Sequence, residues 1–328
     1  MGLVILTFDI EDFINPVSAK ALEKILILLK RYSLRAIFFV TGYLTEKLQS
    51  LPSLVERLEE HEIGYHSSSH SVRPTIPEYT DTNSYYTAVK TSLDRETSYI
   101  NPLTGEIEGS GGIYAVREMF SNKEVTAFRS PGFCWTPPHI EALKELGIKY
   151  DFSSGIYGIR ASTDEVYEFK GLKFFPYPIH ITGQIILSLD RCSYYLTKLL
   201  LKTMKRKITC LYGHEWELVL KKPWDSIYKL SNPRKLYRTD MLEASKTIKN
   251  LFYFEIVLRS IKRLVDLNLI DITTELEKID FKKINSKNID VLKTYSKAME
   301  WRINTLNYKP KNLSKHFYKY LKLENKNI

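Results

Sequence analysis

Over the first 280 residues, short apolar runs of strand composition alternate with amphipathic stretches of helical period, and this alternation narrows the choice of fold more than any other feature. "LVILTFDI", "RAIFFVTG", "EIGYH", "VTAFRS", "IKYDFSS", "KITCLYGH" and "LIDIT" each read as a strand. Between them, "SAKALEKILILLKRY" sets Ala21, Ile25, Leu28 and Leu29 at helical spacing, with Ser18 as the expected cap. "LPSLVERLEEH", "PPHIEALKELG" (stopped by Gly147) and "LFYFEIVLRSIKRLVDLN" read as further helices. Strands joined by helices predict βαβ units and a parallel sheet, an α/β protein. With 328 residues and 44% hydrophobic content the chain can bury a large core.

In parallel α/β folds, ligands sit beyond the carboxyl ends of the strands. Those ends carry Asp9, Glu11 and Asp12, then His66 and His70, Arg129, Asp151 and His214. Asp9 and Glu11 project to the same side because the strand period is two. Two carboxylates in one small space call for a proton or a cation; the alternative is that these acids cap the next helix. The H-x-x-x-H of "HEIGYHSSSH" puts two imidazoles on one face if the segment is helical, close enough to share a metal; otherwise the two are loop histidines bonded to serines. Two imidazoles and one carboxylate would leave open positions for water and substrate, a catalytic rather than a structural arrangement. Arg129 can clamp a carboxylate or lie at the surface of its loop. His214 can protonate a leaving group near neutral pH or be a satisfied loop histidine.

The net charge of +10 belongs to the end of the chain. Residues 281–328 hold eleven lysines and Arg302 against Asp290, Glu300 and Glu324, while the first 280 residues carry 36 basic and 35 acidic residues. A nucleic-acid partner is therefore not expected. Ile289, Leu292, Tyr295, Met299, Ile303 and Leu306 fall at helical spacing, so the tail is expected to form a basic helical extension of a 1–280 catalytic barrel. It either packs on that barrel or meets an anionic membrane surface or a phosphate-bearing substrate carrier. Cys134, Cys192 and Cys210 lie far apart without a C-x-x-C, which fits a reducing compartment. With no export signal or membrane span in view, the expected location is the cytoplasm, including its membrane periphery. The insertion between His70 and Arg129 reads as a helix over about Ser84 to Tyr99, then a turn-rich loop or hairpin.

In order and spacing, "TFDIED", "RAIFFVTG", "HEIGYHSSSH", "FRSPGF", "YDFSS" and "LYGHEWE" resemble the polysaccharide deacetylase family, carbohydrate esterase family 4, over about residues 3–279. The resemblance implies a distorted (β/α) barrel and a divalent metal cofactor, with Zn²⁺ the expected ion. It implies removal of acetyl from an N-acetylated glycan or glycan precursor. It assigns Asp9 as catalytic base, Arg129 as the residue steadying that base, His214 as general acid and Asp151 as the acid tuning that histidine. His66 and His70 match the metal-binding histidines. Where most members have adjacent aspartates, this chain has Ile10 between its acids, so Glu11 is the matching ligand and Asp12 the second choice. A hydrolase of a non-sugar amide, such as a cyclic imide or ureide, and an inactive glycan-binding protein are the rival functions.

Overall fold

The computed structural model describes residues 2–70, 85–133, 137–153, 155–156, 159–160, 166–176, 178–182, 208–228 and 235–279. The basic 281–328 extension lies outside the described residues. The chain opens with β1 (Gly2–Ile10), α1 (Pro16–Arg31), β2 (Ile37–Val40), α2 (Gly42–Gln49), α3 (Pro52–Glu59) and β3 (Glu62–Tyr65). Then come α4 (Tyr85–Glu96), β4 (Ser98–Ile100), β5 (Ile107–Ser110), α5 (Ile113–Met119), β6 (Ala127–Phe128), α6 (Pro137–Glu145) and β7 (Tyr150–Asp151). Short strands follow: β8 (Gly155–Ile156), β9 (Ile159–Arg160), β10 (Tyr167–Phe169), β11 (Leu172–Phe174) and β12 (Ile179–His180). β13 (Ile208–His214), α7 (Ala244–Asp266) and β14 (Ile270–Ile272) complete the described elements.

Ten strands form one curled sheet in the order β10-β11-β7-β6-β3-β2-β1-β13-β12, with β14 on β1. Every pairing is parallel except β10 with β11. With its helices this is the parallel α/β sheet expected from the strand–helix alternation, curled into the distorted (β/α) barrel that the resemblance implied. β1 is central: Leu3–Asp9 pair with β13 on one edge, while the other edge is shared by β14 at Gly2–Val4 and β2 at Thr7–Ile10.

The period of two sorts β1 into two cores. Val4, Leu6, Phe8 and Ile10 join the large cluster beneath the helices. There Phe8 stacks on Phe38 and meets Phe254 of α7 edge-on. Ile5 instead joins an inner cluster with Ile37, Phe39, Phe152, Phe175 and Cys210. Thr7 and Asp9 share its parity, so they project into the same concave interior one and two steps nearer the carboxyl rim. A strand buried on both faces reads as the unbroken apolar run with which the chain opens.

Several local expectations change. Ser18 is not the cap of α1: the helix begins at Pro16 after Asn15, and Ser18 sits inside it, donating from its hydroxyl to Asp12 Oδ2. Proline is favoured at a helix start because it has no N–H to leave unsatisfied there. The same preference at Pro52 separates α3 from α2, which the sequence reading did not resolve. The insertion forms α4 and then the β4–β5 hairpin, as expected, but its last turn-rich residues open α5. Gly112 makes that junction possible: its φ is +57°, and a Cβ there would lie 2.1 Å from the Glu96 carbonyl oxygen.

Candidate active site

Four strand ends and one loop bring Asp9, Glu11, His66, His70, Arg129 and His214 together at the carboxyl rim. The histidine pair is not helical, contrary to the simplest reading of its spacing. The chain leaves β3 into a loop with Ser67 and His70 both at positive φ (66° and 52°), and the Ser67 hydroxyl accepts the His70 N–H at 3.1 Å. The two rings lie 5.1 Å apart by this route. Non-glycine residues held at positive φ cost conformational energy and concentrate at functional loops.

Glu11 stands between the two imidazoles. Its Oε2 lies 2.9 Å from His66 Nε2 and 2.6 Å from His70 Nε2. Its Oε1 accepts the indole N–H groups of Trp216 (2.8 Å) and Trp224 (2.9 Å), which fix the carboxylate's orientation. Burial pushes the Glu11 carboxyl up, but His70 and His214, with hydrogen bonds from His66 and His70, outweigh it and hold the group well below the usual carboxylate range. His70 is held up at about 10; burial opposes this, and the Glu11 and Asp225 carboxylates override it. Asp225 Oδ2 lies 3.5 Å from His70 Nδ1, behind the ring.

These residues fit a divalent ion. His66 donates from Nδ1 to the Arg129 carbonyl oxygen at 2.7 Å, which leaves Nε2 as the nitrogen facing Glu11 Oε2. In the neutral tautomer that this bond selects, Nε2 presents a lone pair to the carboxylate oxygen at 2.9 Å, an arrangement that calls for a proton or a metal ion between them. His66, His70 and Glu11 form a cluster whose ligand atoms all lie within 4.8 Å of one another. A backbone acceptor on one imidazole and a carboxylate behind the other match the outer contacts that orient metal-binding histidines.

Asp12 is engaged differently. Its Oδ1 accepts the backbone N–H groups of Ile14 and Asn15, both at 2.9 Å, and the Asn15 amide donates to both oxygens. It organises the entry to α1, the capping alternative left open for these acids. Burial raises its pKa.

Beside Glu11, the Arg129 guanidinium donates to Asp9 Oδ1 at 2.6 Å and to Thr7 Oγ1 at 2.8 Å, and it lies 4.5 Å from the centre of the Phe39 ring. Arg129 is fully buried and is not the surface loop arginine of the alternative reading. His214 Nε2 lies 3.6 Å from Asp9 Oδ2 and 4.0 Å from Glu11 Oε1. On its far side, Nδ1 faces Glu217 Oε2 at 3.3 Å. Glu217 is in turn held by His180 Nε2 at 2.6 Å and by the Thr182 hydroxyl. Burial works against the charged imidazole, yet Glu217, Glu11 and Asp9 raise His214 to about 10, so it carries its proton at neutral pH.

The acid behind His214 is therefore Glu217, where the resemblance pointed to Asp151. Asp151 is buried on β7 and accepts the N–H and hydroxyl of Ser153, which orders the loop beside Arg129. Sequence reading also missed Trp216, Trp224, Asp225 and His180. The signal available for Glu217 was its spacing in "HEWE", three residues after His214, which the short 3-10 turn Trp216–Leu218 folds back toward the histidine.

A parallel barrel with a buried two-histidine, one-carboxylate cluster and a neighbouring acid–arginine pair defines the class. Residues 2–150 match the family model for polysaccharide deacetylase. The match covers the first part of the barrel and agrees with the resemblance carried by the ordered motifs. An uncharacterized 30.6 kDa protein of Geobacillus stearothermophilus is 32% identical over 132 residues, which are 40% of this chain and 43% of that protein. The chain thus matches less than half the length of this curated relative. Among solved structures, the 4-alpha-glucanotransferase of Thermococcus litoralis is 13% identical, with 85% of this chain and 40% of that chain covered and a TM-score of 0.51, a likeness of fold alone. A CE4 esterase of Streptococcus mutans is 17% identical over 83% of this chain and 85% of its own, with a TM-score of 0.43. A CE4 family pseudoenzyme of Bacillus anthracis is 14% identical over 84% and 64%, with a TM-score of 0.41.

Proposed function

We propose that this protein is a metal-dependent hydrolase that removes the acetyl group from an N-acetylated sugar of a glycan or glycan precursor. The observation that carries the reading is the convergence of His66, His70 and Glu11 on one point, with Asp9 and His214 beside it. Glu11 rather than Asp12 is the carboxylate ligand in this reading, because both Asp12 oxygens serve the start of α1. A divalent ion held there, Zn²⁺ in our reading, would polarise the acetyl carbonyl and make its bound water acidic.

The chain's own residues divide the proton work. Asp9, held in place by the Arg129 guanidinium, takes a proton from the attacking water as general base. His214, charged and oriented by Glu217, gives a proton to the departing amine nitrogen as general acid. The products are acetate and a free amino sugar. Widely spaced cysteines without a C-x-x-C support a cytoplasmic setting and hence a glycan precursor as substrate. No helix among the described residues is long and apolar enough to cross a membrane.

The test is acetate release from N-acetylated amino sugars and their oligomers by protein stripped of metal and then reloaded. Activity that returns with metal and disappears in Asp9→Asn supports the reading. Metal-restored hydrolysis of cyclic imides or ureides, with no acetate released from sugars, would overturn it.

A further inference from the structure

On the outer helical layer, a cleft of about 470 Å³ opens between α1 on one side and α2 and α3 on the other, its inner end reaching Asp12 and Glu215 beside the candidate site. Its walls are apolar: Leu22 of α1, Leu44 and Leu48 of α2 and Leu54 of α3 line it, and the exposed side chain of Leu51 sits on its edge. Four cations border the same cleft, Lys20, Lys47, Arg57 and Arg238, against the one exposed carboxylate of Glu23. Among the described residues none of the four makes an ion pair, although Lys30, Lys149 and Lys262 elsewhere on the surface do. The two other carboxyl groups of the cleft, Asp12 and Glu215, are buried.

We infer that this cleft binds a single-chain anionic amphiphile, an alkyl phosphate. An apolar slot in water gains by taking a hydrocarbon chain, roughly 0.8 kcal/mol per buried CH₂. Four unpaired cations at the mouth are complementary to a phosphate and would repel a cationic head. The cations stand at the open side of the cleft and the apolar walls lie within, so the chain enters and the phosphate stays at the mouth. The basic 281–328 segment is a poor match for the same place, since its charge has the sign of the cations already there.

Isothermal titration of the full chain with dodecyl phosphate, below its micelle concentration, tests this without reference to hydrolytic activity. The expected result is one saturable site per chain, with dodecanol and dodecyltrimethylammonium each binding about tenfold weaker or worse. Lys47→Glu with Arg57→Glu, both on the outer surface, is expected to weaken dodecyl phosphate about tenfold or more. Ala19→Trp, which fills the slot and leaves the cations in place, is expected to abolish binding, with thermal melts confirming that each variant folds. Equal affinity for the phosphate and the ammonium compound, or no effect of either variant, overturns the proposal. Binding that appears only after removal of residues 281–328 also overturns it and assigns the cleft to the chain's own tail.

Discussion

The backbone carbonyl of Arg129 accepts the Nδ1 hydrogen of His66 at 2.7 Å, so the residue whose guanidinium holds Asp9 also decides which His66 nitrogen faces Glu11. β3 and β6 pair at Tyr65 and Phe128, the residues just before this histidine and this arginine, and that register makes the contact. The base side and the metal side of the candidate site are thereby built on one backbone.

Arg129 is fully buried and Asp9 nearly so, and removing one partner of such a pair strands a charge. Arg129→Met is expected to cost about 3–5 kcal/mol in a denaturant titration. Asp9→Asn in the same chain should recover a large part of that loss, which a double-mutant cycle would measure. Additive losses would show that the two side chains do not act as a pair.

Glu217 raises the proton affinity of His214, so removing its charge should lower it. In Glu217→Gln the alkaline limb of the kcat/KM profile is expected to move to lower pH, with KM little changed. His214→Gln should lose roughly 10²–10⁴-fold in kcat. An unmoved alkaline limb in Glu217→Gln would remove Glu217 from this role.

His61 gives a stability prediction away from the site. It is buried against Phe38, with ring centres 5.1 Å apart, and burial lowers its pKa to about 4. The unfolded chain binds this proton near pH 6.5 and the folded chain only near pH 4, so stability falls as pH drops through that window. The loss at pH 5 is roughly 2 kcal/mol. His61→Phe should therefore raise Tm more at pH 5 than at pH 8, and an equal rise at both would contradict the assignment.

Gly112 supports the insertion that follows the histidine loop. Gly112→Ala meets the Glu96 carbonyl oxygen and a positive φ together, so thermal melts should show a loss of roughly 2–3 kcal/mol.

The sequence was most informative where one local rule settles the outcome. β1, β2, β3, β6, β7, β13 and β14 were legible because buried parallel strands are unbroken apolar runs, and Asp9, His66, Arg129 and His214 stood out as polar residues at the ends of such runs. The choice between Glu11 and Asp12 was not legible, because it depends on what each oxygen meets across the fold. Trp216 and Trp224 reach Glu11 from more than 200 residues away, while Asn15 and Ser18 hold Asp12 from the next turn of chain. Glu217 was hidden for a related reason: a 3-10 turn, not a strand end, aims it at His214.

The most direct test of the central claim is the metal content of the full chain purified without chelator, beside its His66→Ala, Glu11→Gln and Asp12→Asn variants. The account predicts about one divalent ion per chain in the parent and in Asp12→Asn, and a large loss in His66→Ala and Glu11→Gln. Equal metal in the parent and in His66→Ala would contradict it.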